Sequence, residues 1–198
     1  MGKAFTPEEK TAIKIKLMET ALELFHDQGV KTLNIRELTK RAGIAQGTFY
    51  RFWEDKDALV LDVMKYRARQ KLDAVIPHFP DSLADPAGFL SRQIYDWCMD
   101  LKEKVDTQPL YKQSMTLLRR QSEEDVNRVS AIYCEFLQQL ADNWIQNGAT
   151  QKVDVSGLLN VFIGVSVLFA DAAQFDRDYF DRIFFTFIES GIRQFLVI

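Results

Sequence analysis

Two short apolar stripes hinged at Gly43 constrain this chain more than any other feature. Between Ile35 and Trp53 the sequence reads IRELTKRAGIAQGTFYRFW. Ile35, Leu38 and Ala42 recur at intervals of three and four residues, so they share one helical face. Gly43 supplies a residue that adopts positive φ without a Cβ clash. Ile44, Phe49, Phe52 and Trp53 then form the apolar side of a second short helix. Its solvent side is left with Ala45, Gln46, Gly47, Thr48, Tyr50 and Arg51, a set of small, amide, hydroxyl and guanidinium groups. A helix pressed against DNA needs such chemistry: small residues allow close approach, Gln and Arg read base edges, and hydroxyls donate to phosphates. A plain surface helix would carry more Glu and Lys.

The helices around this pair are punctuated clearly. Thr6-Pro7-Glu8-Glu9 is a helix start, with Thr as N-cap, Pro at the first position and Glu three residues after the cap. The helix that follows turns Leu17, Ala21, Leu24 and Phe25 to one side, carries His26 in its last turn and stops at Gly29. Asn34 with Glu37 starts the second helix. A fourth runs from about Asp55 to Val75, until Pro77 and Pro80 break it.

The segment from about Leu17 to Leu61, with LMETALELF and NIRELTKRAGIAQGTFYRFWEDKDAL, resembles the TetR family of bacterial transcriptional regulators. The resemblance rests on A-G-[apolar]-x-x-G-T-[apolar]-Y, the aromatic pair after it and the following K-x-A-L. Two positions depart from the family pattern: Ala45 stands where Ser or Thr is common, and Asn34 where Thr is common. Asn34 can still cap a helix; Ala45 cannot.

The resemblance implies an all-α fold. A three-helix, helix-turn-helix DNA-binding domain would occupy residues 1–55. A helical effector-binding and dimerisation bundle would occupy 56–198, with the helix 56–75 as connector. Tyr50 and Lys56 are implied phosphate contacts. Thr48 suits a phosphate or a thymine methyl, and Gln46 and Arg51 suit adenine and guanine edges. Arg36 would reach a base or the backbone, or else join Lys40 and Arg41 in a solvated positive face. Gly47 is expected where the backbone approaches DNA closely, because Gly inside a helix costs about 1 kcal/mol relative to Ala.

Charge follows the same division. The net charge of −3 conceals 14 Lys and Arg against 11 Asp and Glu in residues 1–75, and 11 against 17 in residues 76–198. The basic excess lies where the motif lies.

The second half reads as further helices: Pro86 to about Lys104, Pro109 to Arg120, one from Ser122 and Asp125 to Asn147-Gly148, one capped by Asp154 from Val155 to about Ala173, and a last one opened by Asp178 and Asp181 and reaching Phe195. The last two are apolar on more than one face, which a second subunit would bury. Gly157 and Gly164, seven apart, and Gly191 suit close helix approach there. The resemblance implies a homodimer built through these two helices. It also implies a small-molecule site, of unknown effector, in the C-terminal half; Trp97, Cys98, Met115 and Tyr133 are the candidate lining, although aromatic stripes also serve as plain core.

No catalytic constellation, metal-ligand spacing or cofactor motif occurs; His78 sits alone between Pro77 and Pro80. No membrane partner is expected, since the longest uncharged stretch, Val155 to Ala170, falls short of the roughly 20 apolar residues of a span. The N-terminus lacks an apolar signal run, and two cysteines make no disulfide framework, so a cytoplasmic setting is expected. The expectation is a ligand-released repressor on a palindromic operator. The alternatives are a nucleoid or cell-division protein of the same fold without an effector, and a redox sensor using Cys98 and Cys134, which requires their Cα atoms within about 7 Å.

Overall fold

The computed structural model describes residues 5–28, 33–108, 111 and 123–197, excepting the helix side chains of 26–28, 123–129 and 177. The expected stop at Gly29, the side chain of His26, the helix Pro109 to Arg120 with Met115, and the start at Ser122 and Asp125 lie outside the described residues.

The chain divides into two compact units, residues 1–68 with 103–121 and residues 69–102 with 122–198. In the first, α1 (Pro7–Gln28) begins with a reciprocal capping box. The Thr6 amide donates to Glu9 Oε2 at 2.9 Å, and the Glu9 amide donates to Thr6 Oγ1 at 3.2 Å. Leu17, Ala21, Leu24 and Phe25 are buried along its inner face. Next, α2 (Ile35–Arg41) starts where Asn34 accepts a hydrogen bond from the Arg36 amide at 2.8 Å. It ends in a Schellman turn. Gly43 takes φ +68, its amide donates to the Lys40 carbonyl, and the Ile44 amide donates to the Thr39 carbonyl at 2.8 Å. That turn launches α3 (Gln46–Phe49), which packs on α2.

Two helices run through the division: α4 (Lys56–Asp73) and α5 (Pro86–Thr107). Between them, after the break expected at the prolines, Ile76–Ser82 forms a 3-10 helix with Pro80 inside it. Trp144 Nε1 donates to Ser82 Oγ at 2.6 Å, and Ser82 Oγ donates to the Phe79 carbonyl at 2.6 Å. This buried relay satisfies the indole of a fully buried Trp.

The second unit continues with α6 (Glu123–Gln146), α7 (Val155–Ala170) and α8 (Arg177–Arg193). Its core joins Leu90, Ile94, Leu137, Leu140, Trp144, Leu158, Val165, Phe184 and Ile188. At Asn147-Gly148 α6 closes in a second Schellman turn, with Gly148 at φ +71 and the Ala149 amide donating to the Trp144 carbonyl. Asp154 caps α7 as expected, accepting from the Gly157 amide at 2.9 Å. The cap of α8 is Asp176, which accepts from the Asp178 amide, so the expected start at Asp178 is two residues late.

The expected ends of both helices are also corrected. The last residue of α7 is Ala170, and that of α8 is Arg193. Beyond α8 the chain enters a two-residue strand, β2 (Leu196–Val197), antiparallel to β1 (Lys152–Val153) with Lys152 opposite Val197. Phe195 thereby swings onto α7, where a Cβ on Gly157 would meet its ring at 2.1 Å. Among the described residues no helix is long and apolar enough to cross a membrane.

Candidate nucleic-acid interface

One helical turn, Gln46–Phe49, carries the expected reading surface, and it is shorter than the run to Trp53 that periodicity predicts. Beyond Tyr50 the chain keeps coiling through looser bonds, from the Arg51 amide to the Thr48 carbonyl and from the Phe52 and Trp53 amides to Phe49. The turn is anchored from below. Phe49 is fully buried and Trp53 nearly so, their ring centroids 5.4 Å apart, with Tyr50 edge-on to Phe49 at 5.3 Å.

Gln46, Gly47, Tyr50 and Arg51 are exposed, Tyr50 at 54%. Arg36, Lys40 and Arg41 are exposed on α2, and Lys56 is half-buried at the start of α4. Arg41 Nε lies 3.9 Å from Glu23 of α1. Thr48 is a correction: at 9% exposure it sits at the edge of the core and not on the solvent side. Two positions on from exposed Gln46, it falls on the opposite side of the turn, so little more than its rim can meet a ligand.

Ala45 and Gly47 can also be placed in this geometry. No side chain caps α3 at Ala45, as its methyl requires. A Cβ placed on Gly47 would meet nothing within 4 Å. Packing within the chain therefore does not account for a glycine there, whereas a backbone or phosphate pressed onto this turn would.

A polar bracket that sequence spacing did not reveal holds the turn in place. Trp53 Nε1 donates to Asp62 Oδ2 of α4 at 3.0 Å, and Lys14 Nζ of α1 lies 2.7 Å from the same oxygen. Lys14 also stands 5.7 Å from the Trp53 ring centroid. Burial pushes the Asp62 carboxyl upward, but the hydrogen bonds from Lys14 and Trp53, with the charges of Lys14 and Lys65, outweigh it and hold the group below its ordinary range. Lys14 and Asp62 are 48 residues apart, and no sequence signal links them.

The candidate effector residues scatter. Trp97 lines a cleft of about 520 Å³ with Lys71, Val75, His78, Phe89 and Gln93. Cys98 and Tyr133 do not line it. Tyr133 packs on Phe162 with centroids 5.4 Å apart, and its phenol is raised by burial and by the Cys98 thiol. Burial pushes Cys98 up to about 12, only partly offset by Lys71. At neutral pH it is a protonated thiol and a poor redox nucleophile.

The three glycines separate by role. Gly157 meets Phe195, and a Cβ on Gly191 would lie 3.1 Å from Val161 of α7, so both serve packing inside one chain. Gly164 faces Phe187 at an ordinary 3.4 Å. It lies beside an apolar surface of Ile163 and Val167 on α7 and Ile183 and Phe187 on α8, exposed at 44 to 61%.

Residues 17–63 match the family model for bacterial regulatory proteins of the tetR family. Over 69 residues the chain is 29% identical to the uncharacterized HTH-type transcriptional regulator YvdT of Bacillus subtilis, covering 35% of this chain and 36% of that one. The chain thus spans about a third of the length of that curated relative. The fold extends further. A TetR-family transcriptional regulator from Pectobacterium atrosepticum superposes with a TM-score of 0.63 at 19% identity, covering 98% of this chain and 99% of the other. RolR in complex with resorcinol gives 0.61 at 18% identity, covering 97% and 91%.

Proposed function

We propose that the chain is a ligand-responsive transcriptional repressor of the TetR type that binds a palindromic operator as a homodimer, a reading supported by the match of residues 17–63 to the tetR family model. The carrying observation is the single turn Gln46–Phe49, exposed at Gln46 and Gly47, open above Gly47 and clamped from below by the buried Phe49 and Trp53 and by Asp62. Such a turn offers base-reading and phosphate-binding groups on a rigid support, which is what major-groove docking requires. Gln46 and Arg51 read base edges. Tyr50, Lys56 and Arg36 hold phosphates, and Gly47 lets the backbone approach. Thr48 contributes at most the rim of its side chain.

The two subunits meet across the apolar surface of Ile163, Val167, Ile183 and Phe187, side chains that a single chain leaves in water. A twofold dimer then presents two reading turns to successive major grooves. Residues 1–55 serve DNA, and 56–198 serve dimerisation and the effector. RolR, which shares the fold, was solved with resorcinol; by analogy the effector here is a small apolar or aromatic molecule, and the cleft beside Trp97 is the candidate entrance. Its binding releases the operator by favouring a dimer geometry whose reading turns no longer match the grooves, which requires unequal affinity for the two conformations. No catalytic step enters this function, and its DNA partner places it in the cytoplasm.

The test is a footprint of the purified chain on the promoter beside its own gene, followed by titration of small aromatic compounds. A protected inverted repeat that one compound releases is the expected result. Absence of any protected sequence would overturn the DNA function. Protection that no compound relieves would favour an effector-free DNA-binding protein of the same fold.

A further inference from the structure

We propose that Phe5 is a positioning residue for base recognition, holding the Arg51 guanidinium in a reading posture before DNA arrives, an inference that rests on taking Gln46 to Arg51 as the DNA-facing surface. Arg51 Cζ lies over the Phe5 ring, 5.8 Å from its centroid. Phe5 is half-buried, while Arg51 is exposed at the end of the reading segment.

The place of Phe5 in the sequence explains why its ring is free for this contact. It immediately precedes Thr6, the N-cap of α1. An apolar residue at that position commonly staples onto the fourth residue of its own helix. Here that residue is Lys10, which offers no apolar partner. The ring turns instead to Arg51, more than forty residues away in sequence. The reciprocal bonds between Thr6 and Glu9 fix the start of α1 and with it the origin of the Phe5 side chain.

The contact is suited to recognition because of what it leaves available. A ring attracts a guanidinium through its face. The N–H edges of Arg lie in the guanidinium plane and remain able to donate in pairs to guanine O6 and N7. Among the described residues Arg51 forms no ion pair that would have to break first. An exposed Arg otherwise loses side-chain freedom on docking, and a ring that restricts it beforehand reduces that loss. Phe5 therefore acts on specificity through Arg51 without touching a base.

The experiment uses the full chain and a randomised duplex pool. Selected sequences and relative affinities are compared for wild type, Phe5→Ala, Phe5→Leu, Phe5→Trp and Arg51→Ala, with thermal melting of each. Arg51→Ala is expected to erase preference at one base pair per half-site. Phe5→Ala and Phe5→Leu should weaken that same preference about two- to fivefold, as expected for one exposed cation–ring contact, and leave other positions unchanged. Phe5→Trp should retain it. Wild-type preference in Phe5→Leu would overturn the inference, because an aliphatic side chain supplies packing without a ring face. So would an equal loss at every position, or an unchanged preference in Arg51→Ala. If wild type itself enriches no sequence, the DNA-facing assignment fails first, a result distinct from any of these.

Discussion

Trp53 and Asp62 are joined by a 3.0 Å hydrogen bond from the indole Nε1 to carboxylate Oδ2, and Lys14 completes the bracket from α1 at 2.7 Å. The segment that carries Gln46–Phe49 and Trp53 is thus tied to α1 and α4 through one carboxylate.

Asp62 should make the first unit acid-sensitive. Its folded pKa is depressed, so the stabilisation it confers is present above the unfolded value near 3.9 and disappears as pH falls through the folded one. Asp62→Asn should lower the melting temperature at neutral pH, with a loss of about 1.5 to 3 kcal/mol for a hydrogen bond to a charged group. It should also flatten the acid limb of a stability profile measured between pH 6 and 2. A profile that keeps its full acid limb in the variant would show that Asp62 is not the titrating group.

Gly47→Ala should separate stability from function. The added methyl meets no atom of the chain, and Ala favours a helix by up to about 1 kcal/mol. The variant should therefore melt no lower than wild type yet bind operator more weakly. Equal operator affinity would mean that DNA does not approach this backbone.

Tyr50→Phe and Lys56→Ala should weaken binding to all sequences alike, and Lys56→Ala should reduce the salt slope by about 1. Gln46→Ala should instead relax preference at one or two base pairs per half-site, by about 1 to 3 kcal/mol for a lost bidentate pair. Binding curves over a salt series, on matched and mismatched repeats, distinguish the two classes. A uniform loss in Gln46→Ala would remove its base-reading role.

Substitutions at the glycines of α7 should differ in kind. A Cβ on Gly157 collides with the Phe195 ring, so Gly157→Ala should destabilise the folded chain, with overpacking costing about 1 to 3 kcal/mol. At Gly164 an Ala fits, but Leu must displace Phe187 at the exposed apolar surface. Gly164→Leu and Phe187→Asp should leave the chain folded while reducing dimer mass in sedimentation and operator affinity together. Wild-type mass for both variants would place the subunit contact elsewhere.

Elements whose causes are local can be read directly along the chain. The Thr6–Glu9 capping box, the Asn34 and Asp154 caps, and the Gly43 and Gly148 turns depend on groups within a few residues of one another, so a linear reading finds them. The two faces of the Gln46–Trp53 segment were legible for the same reason: buried Phe49 and Trp53 are separated from exposed Gln46 and Tyr50 by helical period alone. Features that depend on contacts distant in sequence emerge from the packing of the folded chain. It buried Thr48 at the edge of the core, joined Trp53 and Lys14 at Asp62, and set Phe5 under Arg51. It also separated glycines that spacing had grouped, seating Gly157 on Phe195 and Gly191 on Val161 while leaving Gly164 at the surface. Helical period says that residues share a face, but what that face meets is fixed when another part of the chain, with its own shape and charge, packs against it.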